Sequence, residues 1–313
     1  MNILITGCAG FIGSHATDLF LSLGYTVVGV DCLTYASNLE NLKDCMGNNN
    51  FSLEKVDICD TEKIKNIVIE NKCEWIINFA AESHVDNSIE SIDAFIHSNI
   101  VGVKSLLEVC RETNTKILHI STDEVYGSTR DGSFSEDTRF NPKNPYSATK
   151  ASAEHIITSY SNTHNIDYII VRPSNNFGPR QHGEKLLPTI IKSIKKGKKI
   201  PIYGNGKNIR DWLYVKNNVK MIEKILKNSK YNTEYNITNT NEFENIDIIK
   251  KVTNILNVDF ESSIEFVKDR LGHDFRYSIT SKKIKENNFY VDTDFENDLV
   301  ETVNKIFKGI EHD

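Results

Sequence analysis

Apolar positions along the chain fall into short β-branched runs separated by stretches of helical periodicity. The runs predict strands at Ile3–Thr6, Thr26–Val30, Ser52–Val56, Trp75–Phe79, Lys116–Ile120 and Tyr168–Val171. Helices are predicted between them near 12–23, 61–70, 90–113 and 146–164, with Thr61 as N-cap of the second. Such alternation reads as βαβ units around a parallel sheet with helices on both faces. After Arg172-Pro173 the alternation breaks. Asn175 to Arg180 has turn chemistry, and a helix near 186–196 precedes a strand at Ile200–Tyr203. Trp212 to Lys227 reads as strand then helix, Tyr235–Ile237 as a strand and 245–256 as a helix.

Composition narrows the classes. A chain of 313 residues can bury a large core. Its net charge of −6, from 37 basic and 43 acidic residues with no basic tail, argues against nucleic-acid binding. The basic run Lys192 to Lys199 reads as a solvated helix end before a turn at Gly197. The six cysteines lie in the first 110 residues without a CxxC pair or zinc spacing, so reduced buried thiols and no metal are expected. The N-terminus enters a strand at once, without a signal-peptide pattern, and no apolar run is long enough to span a bilayer. A cytoplasmic location with no membrane partner is the expectation.

The glycines place a ligand. Gly7-Cys8-Ala9-Gly10-Phe11-Ile12-Gly13 follows the first strand and opens a helix. Gly7 permits a tight turn, Gly10 close approach of a pyrophosphate to backbone N–H groups, and Gly13 close packing of helix on sheet. Glycines alone are a weak signal. Asp31, at the end of the second strand and 18 residues beyond Gly13, strengthens it. A carboxylate there accepts hydrogen bonds from a ribose diol and repels a 2′-phosphate, which favours NAD. Asp57 and Ile58, after the third strand, are placed to meet the adenine, although a lone Asp57 would read as a capping residue. The expected architecture is a Rossmann-type doubly wound parallel sheet with a smaller α/β substrate-binding domain. Residues 1–172 would form the NAD-binding domain, to which segments near 208–239 return, and 173–313 mainly the substrate-binding domain. The cleft then lies outside the carboxyl ends of the strands.

Tyr146 and Lys150, spaced i, i+4, share one helical face behind Pro145. A free phenol ionises at roughly pH 10, and a nearby ammonium favours the phenolate. Lys150 can also hold a cofactor ribose hydroxyl, and Thr122 can hydrogen-bond the hydroxyl that Tyr146 deprotonates. YxxxK alone is common on helices; behind a dinucleotide motif and a strand ending in Ser121-Thr122 it is specific. Asp123-Glu124 adds two carboxyls next to this pair, enough for an acid and a base. Strict strand alternation would point only one of them inward, so a bend after Thr122 is required.

With these residues the chain resembles the extended short-chain dehydrogenase/reductases of the nucleotide-sugar type, and within them the nucleoside-diphosphate-glucose 4,6-dehydratases that act on dTDP-glucose or UDP-glucose. The narrower match rests on Asp31 to Asn38, Ala80 to Asp86, Ser121 to Gly127, Glu184-Lys185-Leu186, Ile209 to Trp212 and Gly272-His273-Asp274. Leu271 departs from the family, which often has proline there. The resemblance implies oxidation at C4 by Tyr146, proton removal from C5 by Glu124, protonation of the departing C6 hydroxyl by Asp123, and return of hydride to C6. It also implies diphosphate contacts from Arg210, Arg270 and His273 and amide contacts from Asn175 and Asn245. Glu184 and Lys185 would lie near the base and sugar, Ser83 and His84 beside cofactor and glucose, and Tyr35 and Asn38 along the adenosine. A homodimer built on the helices near 90–113 and 146–164 is expected on the same ground. A UDP-sugar 4-epimerase or UDP-glucuronate decarboxylase shares the fold and Tyr/Lys pair but needs no Asp-Glu pair. A non-catalytic dinucleotide sensor needs none of the four residues.

Overall fold

The computed structural model describes residues 1–269 and 274–310. In chain order its strands are β1 (Asn2–Thr6), β2 (Thr26–Asp31), β3 (Phe51–Lys55), β4 (Trp75–Asn78), β5 (Lys116–Ile120), β6 (Tyr168–Pro173), β7 (Asn175–Phe177), β8 (Ile200–Tyr203), β9 (Ile209–Tyr214), β10 (Thr233–Ile237), β11 (Glu242–Glu244) and β12 (Ile264–Val267). Seven of them form one sheet in the order β10-β6-β5-β4-β1-β2-β3, parallel throughout. Successive side chains feed two cores. Ile3, Ile5, Val27, Ile77 and Leu118 meet the helices Phe11–Ser22 and Val215–Asn228 on one face. Leu4, Val28, Ile76 and Ile117 meet Thr61–Glu70, Gly102–Thr113 and Pro145–His164 on the other. Burial on both faces is why these strands read as continuous apolar runs rather than alternating ones.

After β6 the chain builds a second body. β9 pairs with β7 in parallel and with β11 antiparallel, and β12 pairs with β8. Phe177, Leu187, Ile190, Trp212, Tyr214, Ile248 and Leu299 form its core. The helix Leu186–Lys195 ends before Gly197, which takes φ +62°. β10 then returns to the large sheet beside β6.

Three local expectations change. The helix read at 90–113 is broken into Val85–Glu90, a short turn Asp93–Phe95, a π-helical segment Ile96–Val101 and Gly102–Thr113. The π-bulge turns Asn99 inward, where its amide bonds both Glu82 N (3.0 Å) and Glu82 O (3.0 Å). The second helix is capped by Asp60, whose carboxylate accepts from Lys63 N at 3.2 Å; Thr61 is the first helical residue and its hydroxyl meets Ser105. Cys32 is exposed and Cys59 half-buried, because both sit in loops at the sheet edge rather than beside a core run; the other four cysteines are buried.

The loops after β1 to β6 surround one cleft of about 790 Å³, closed on its far side by residues from the second body. Strand order reverses between β1 and β4, the topological point at which doubly wound sheets open a crevice. Among the described residues no helix is long and apolar enough to cross a membrane.

Candidate active site

Gly7, at φ +64°, turns the chain out of β1; a Cβ there would stand 2.8 Å from Ala80 N. A Cβ on Gly13 would stand 2.1 Å from Gly7 O, so helix and turn touch through backbone alone. Gly10 is the N-cap of Phe11–Ser22 and supplies no side-chain cap. The helix start therefore opens on the cleft with unsatisfied N–H groups, which fits a pyrophosphate. Asp31 is 5% exposed and accepts from Ala9 N (3.0 Å), Leu33 N (2.8 Å) and Ser37 Oγ (2.7 Å). An ionised carboxylate has about four acceptor sites, so capacity remains for a ribose diol. Phe11, Ile12, Asp57 and Ile58 line the same end of the cleft. Asp57 accepts from Cys59 N and faces His97 Nε2 at 3.2 Å. Asp57, Cys59 and His97 bring one ligand-type atom each within 4.8 Å of one another, a grouping that sequence spacing does not reveal. Tyr35 and Asn38 line an adjoining cavity of about 320 Å³ instead of the main cleft.

The oxidising pair is set by helix capping. Asn144 caps Pro145–His164, its side chain accepting from Ser147 N at 2.8 Å while Ser147 Oγ accepts from Asn144 N, and Pro145 takes the first helical position. This start projects Tyr146 and Lys150 toward β5. Both are buried. Lys150 Nζ donates to Ile120 O at 2.6 Å and lies 3.2 Å from His119 Nε2. Burial pushes Lys150 down to about 8, against the pull of Glu154. Burial and the Glu124 carboxyl push the Tyr146 phenol up, while a hydrogen bond with Thr122 opposes them.

At Thr122 the chain leaves β5 and winds into a 3₁₀ turn, Asp123–Tyr126. Thr122 Oγ1 caps it, accepting from Glu124 N at 3.3 Å and donating to Asp123 Oδ1 at 3.3 Å. The bend that alternation required is this turn. Burial, reinforced by the Glu124 carboxyl, holds Asp123 well above the usual carboxylate range. Glu124 is also raised by burial, but Asn144, Arg210 and Lys185 oppose the shift; Asn144 Nδ2 donates to its Oε2 at 3.1 Å. Two adjacent carboxyls thus sit in unequal environments, one favouring the acid form and one better supplied with donors and cations.

The far wall is polar and underpartnered. Asp123 Oδ2, His84 Nδ1, Asn175 Oδ1, Asn245 Oδ1 and Trp212 Nε1 are buried with no hydrogen-bond partner among the described residues, and all five residues line the cleft. Buried polar atoms are normally paired, so their convergence marks a place for a polar ligand. Arg210 stacks on Tyr277 at 4.4 Å and donates to Ile209 O and Asp274 O. It does not pair with Asp211, which accepts from Thr238 and Asn241. Ser83, His84, Glu184 and Lys185 stand together: Lys185 Nζ donates to Ser83 O at 3.2 Å, and His84 Nε2 lies 3.5 Å from Glu184. Arg270 and His273 lie outside the described residues.

Residues 4–302 match the model of the family described as GDP-mannose 4,6 dehydratase. The chain belongs to this family. Low-salt glycan biosynthesis protein Agl12 of Haloferax volcanii is 40% identical over 301 residues, 96% of each chain. dTDP-glucose 4,6-dehydratase of Salmonella typhimurium is 40% identical over 91% of this chain and 86% of its own. The solved structure of DesIV, a dTDP-glucose 4,6-dehydratase of Streptomyces venezuelae with NAD bound, superposes with a TM-score of 0.95 at 34% identity, over 99% of this chain and 98% of that one. The chain is thus an extended short-chain dehydrogenase/reductase of the nucleotide-sugar 4,6-dehydratase type.

Within that frame the cleft and the layer behind it contain residues that sequence reasoning did not single out. Asn144 is one, and its signal was available: an asparagine immediately before a helix-starting proline. Tyr277, which donates to Asp274 at 2.6 Å and approaches Glu124 at 3.5 Å, comes from a distant loop and left no local pattern. His119, in the middle of an apolar strand, reads as a core residue until Lys150 is seen against it.

Proposed function

We propose that this cleft catalyses NAD-dependent 4,6-dehydration of a nucleoside-diphosphate glucose, giving the 4-keto-6-deoxy sugar nucleotide, with dTDP-glucose as the preferred substrate. The observation that carries it is the consecutive buried pair Asp123-Glu124 beside Tyr146 and Lys150 in one cleft. Bound NAD supplies a hydride acceptor for C4 and a donor for C6 within one cycle. Tyr146 takes the proton of the 4-hydroxyl, with Thr122 and Lys150 shaping its environment. The 4-ketone acidifies C5–H, and Glu124 removes that proton. Asp123, held protonated, gives its proton to the departing C6 hydroxyl, and C5 is then reprotonated. The activity is that of a hydro-lyase, and a 4-epimerase or decarboxylase would not call for two carboxyls in these two states.

Arg210, Asn175 and Asn245 line the wall where a diphosphate would lie, with Glu184, Lys185, Ser83 and His84 toward base and sugar; Arg270 and His273 complete the set by their motif. The thymine reading draws support from relatives of 38–40% identity named for dTDP-glucose. One methyl in a pocket contributes only about 1–3 kcal/mol, so UDP-glucose would be a poorer substrate and not an excluded one. A homodimer is supported by Ile92, Ile96 and Val101, large apolar residues exposed along the broken helical region before Gly102–Thr113.

Incubating the purified protein with each nucleotide sugar, without added reductant, tests the reading. The product must weigh one water less than the substrate, and no product from either nucleotide would refute it. A higher kcat/KM for UDP-glucose would overturn the base preference alone.

A further inference from the structure

Thr6, Asn78 and His119 occupy one row across the parallel sheet. Thr6 stands opposite Asn78 in the β1–β4 register, and Asn78 opposite His119 in β4–β5. None of the three is more than 1% exposed. Their neighbours along the strands are apolar, and the side chains form a continuous chain. Ala80 N donates to Thr6 Oγ1 at 3.2 Å, and Thr6 Oγ1 to Asn78 Oδ1 at 2.6 Å. Asn78 Nδ2 lies 3.0 Å from His119 Nδ1, and His119 Nε2 lies 3.2 Å from Lys150 Nζ. The row begins beside the Gly7 turn and ends on the lysine of the oxidising pair.

Donor and acceptor logic leaves this chain two consistent states. In the first, Asn78 Nδ2 donates to His119 Nδ1. A neutral imidazole then carries its proton on Nε2, and only the lone pair of an uncharged Lys150 amine can accept it. In the second, a half-turn of the Asn78 amide presents Oδ1 to the ring. The imidazole carries its proton on Nδ1, and Nε2 accepts from a Lys150 ammonium. Thr6 Oγ1 can donate to the amide oxygen or accept from the amide nitrogen, so it serves both. The two states differ by one proton, which resides on Lys150; the ring keeps a single proton throughout.

The surroundings suit such a pair. Burial and the lysine charge hold His119 well below the usual imidazole range, so it stays neutral. The ionisable groups facing Lys150 and His119 are Tyr146 and Glu154, one helical turn to either side of Lys150, and Arg172 from β6, which holds Glu154 at 2.6 Å. Thr6 and Asn78, from β1 and β4, do not titrate.

We propose that His119 and Asn78 form a two-state hydrogen-bond partner that keeps Lys150 bonded to the imidazole both as ammonium and as amine, which makes His119 a positioning residue for the oxidising pair. Ile120 O can accept an N–H of Lys150 in either state but offers no donor to the amine lone pair. The inference rests on the reading of Tyr146 and Lys150 given above, but its test does not depend on turnover.

The NAD-loaded protein is prepared with ¹³C at lysine Cε and ¹⁵N in the histidine rings. Lys150→Met and His119→Gln assign the two resonances. As pH is raised through the Lys150 titration, the His119 ring nitrogens must switch from the Nδ1–H to the Nε2–H pattern with the same midpoint. His119→Leu takes a charge-assisted bond from the ammonium and a weaker neutral one from the amine, so it must lower the proton affinity of Lys150 about threefold or more, and the kcat/KM profile must move with it. A merely structural histidine would reduce activity by one factor at every pH and leave the lysine midpoint in place. A single His119 tautomer across the whole Lys150 titration overturns the proposal. Should His119→Leu fail to fold, the tautomer measurement on the unsubstituted protein decides. A coupled titration in a protein that turns over no nucleotide sugar would sink the functional reading and leave this one standing.

Discussion

Asp123 and Glu124 are consecutive residues that both open onto one cleft. In a continued strand they would face opposite sides of the sheet. The 3₁₀ turn capped by Thr122 prevents that, so the local backbone places acid and base within reach of one sugar. Their environments then separate them. Asp123 keeps an unpartnered buried oxygen, while Glu124 receives Asn144.

Substituting the pair should divide the reaction into its halves. Asp123→Asn with Glu124→Gln leaves Tyr146 and Lys150 in place, so bound NAD should still be reduced on mixing with substrate. Elimination should slow by roughly 10²–10⁴-fold, the usual contribution of a positioned acid or base. Near-ultraviolet absorbance of the reduced cofactor in single turnover, together with product mass, measures both halves. Rapid dehydration by the double variant would remove these residues from their assigned roles.

The same burial predicts a pH-dependent stability. In the unfolded chain an aspartate loses its proton near pH 3.9. In the folded protein Asp123 keeps its proton well above that. Between these two values the unfolded state binds fewer protons, so this group's stabilising contribution, fully present below about pH 3.9, is lost as pH rises through the folded value. Asp123→Asn has no proton to lose. Its melting temperature should match that of the unsubstituted protein near pH 3.5–4 and exceed it by several degrees at neutral pH, at about 2–4 °C per kcal/mol. Parallel melting curves from acid to neutral pH would contradict the shift.

The large sheet was legible because β1, β2, β4, β5 and β6 are compact, mostly apolar runs between helical stretches and the edge strand β3 alternates, and the glycine turn because its chemistry is local. Tyr146, Lys150, Asp123 and Glu124 could be placed together since each sits next to a boundary that the chain announces, Pro145 or the end of β5. The break at Ile96–Val101 was not legible: it depends on Asn99 reaching Glu82, a contact that periodicity does not encode. Tyr277 and His119 were missed for a related reason. Their partners lie far away in sequence, and a loop tyrosine or a histidine in an apolar strand carries no signal until the tertiary structure brings Glu124 or Lys150 against it.

Gly13 offers a test of the cofactor site that does not involve the chemistry. A methyl group there would overlap the Gly7 carbonyl, 2.1 Å from the Cβ position, and neither backbone can move without opening the turn. Gly13→Ala should lose roughly 1–3 kcal/mol of stability to overpacking. It should also weaken NAD binding about tenfold or more, because the helix start shifts away from the pyrophosphate. Cofactor content after purification and a fluorescence titration with NAD measure the second effect. Unchanged NAD affinity would show that the Gly7–Gly13 contact does not set the site.

The catalytic turn is also anchored from behind by charge. Arg172 Nη2 meets Glu154 Oε2 at 2.6 Å, with side chains only 5% and 3% exposed. The guanidinium further donates to Tyr126 OH at 2.6 Å and stacks on Phe140 at 4.9 Å. Glu154 in turn accepts from the hydroxyl of Ser121, the residue before Thr122. Desolvating two charges is costly, so the pair as a whole adds little net stability, but removing one partner strands the other. Arg172→Met and Glu154→Gln should therefore each destabilise the fold by about 3–5 kcal/mol. The double variant Glu154→Leu with Arg172→Met should recover most of that loss, since no buried charge remains. Urea unfolding of the three variants measures the two losses and the recovery. The double variant should still turn over more slowly than the unsubstituted protein, because Ser121 has lost the acceptor that fixes the start of the turn carrying Thr122, Asp123 and Glu124. Single variants that cost less than about 1 kcal/mol would show that water reaches the pair and that it does not brace the turn.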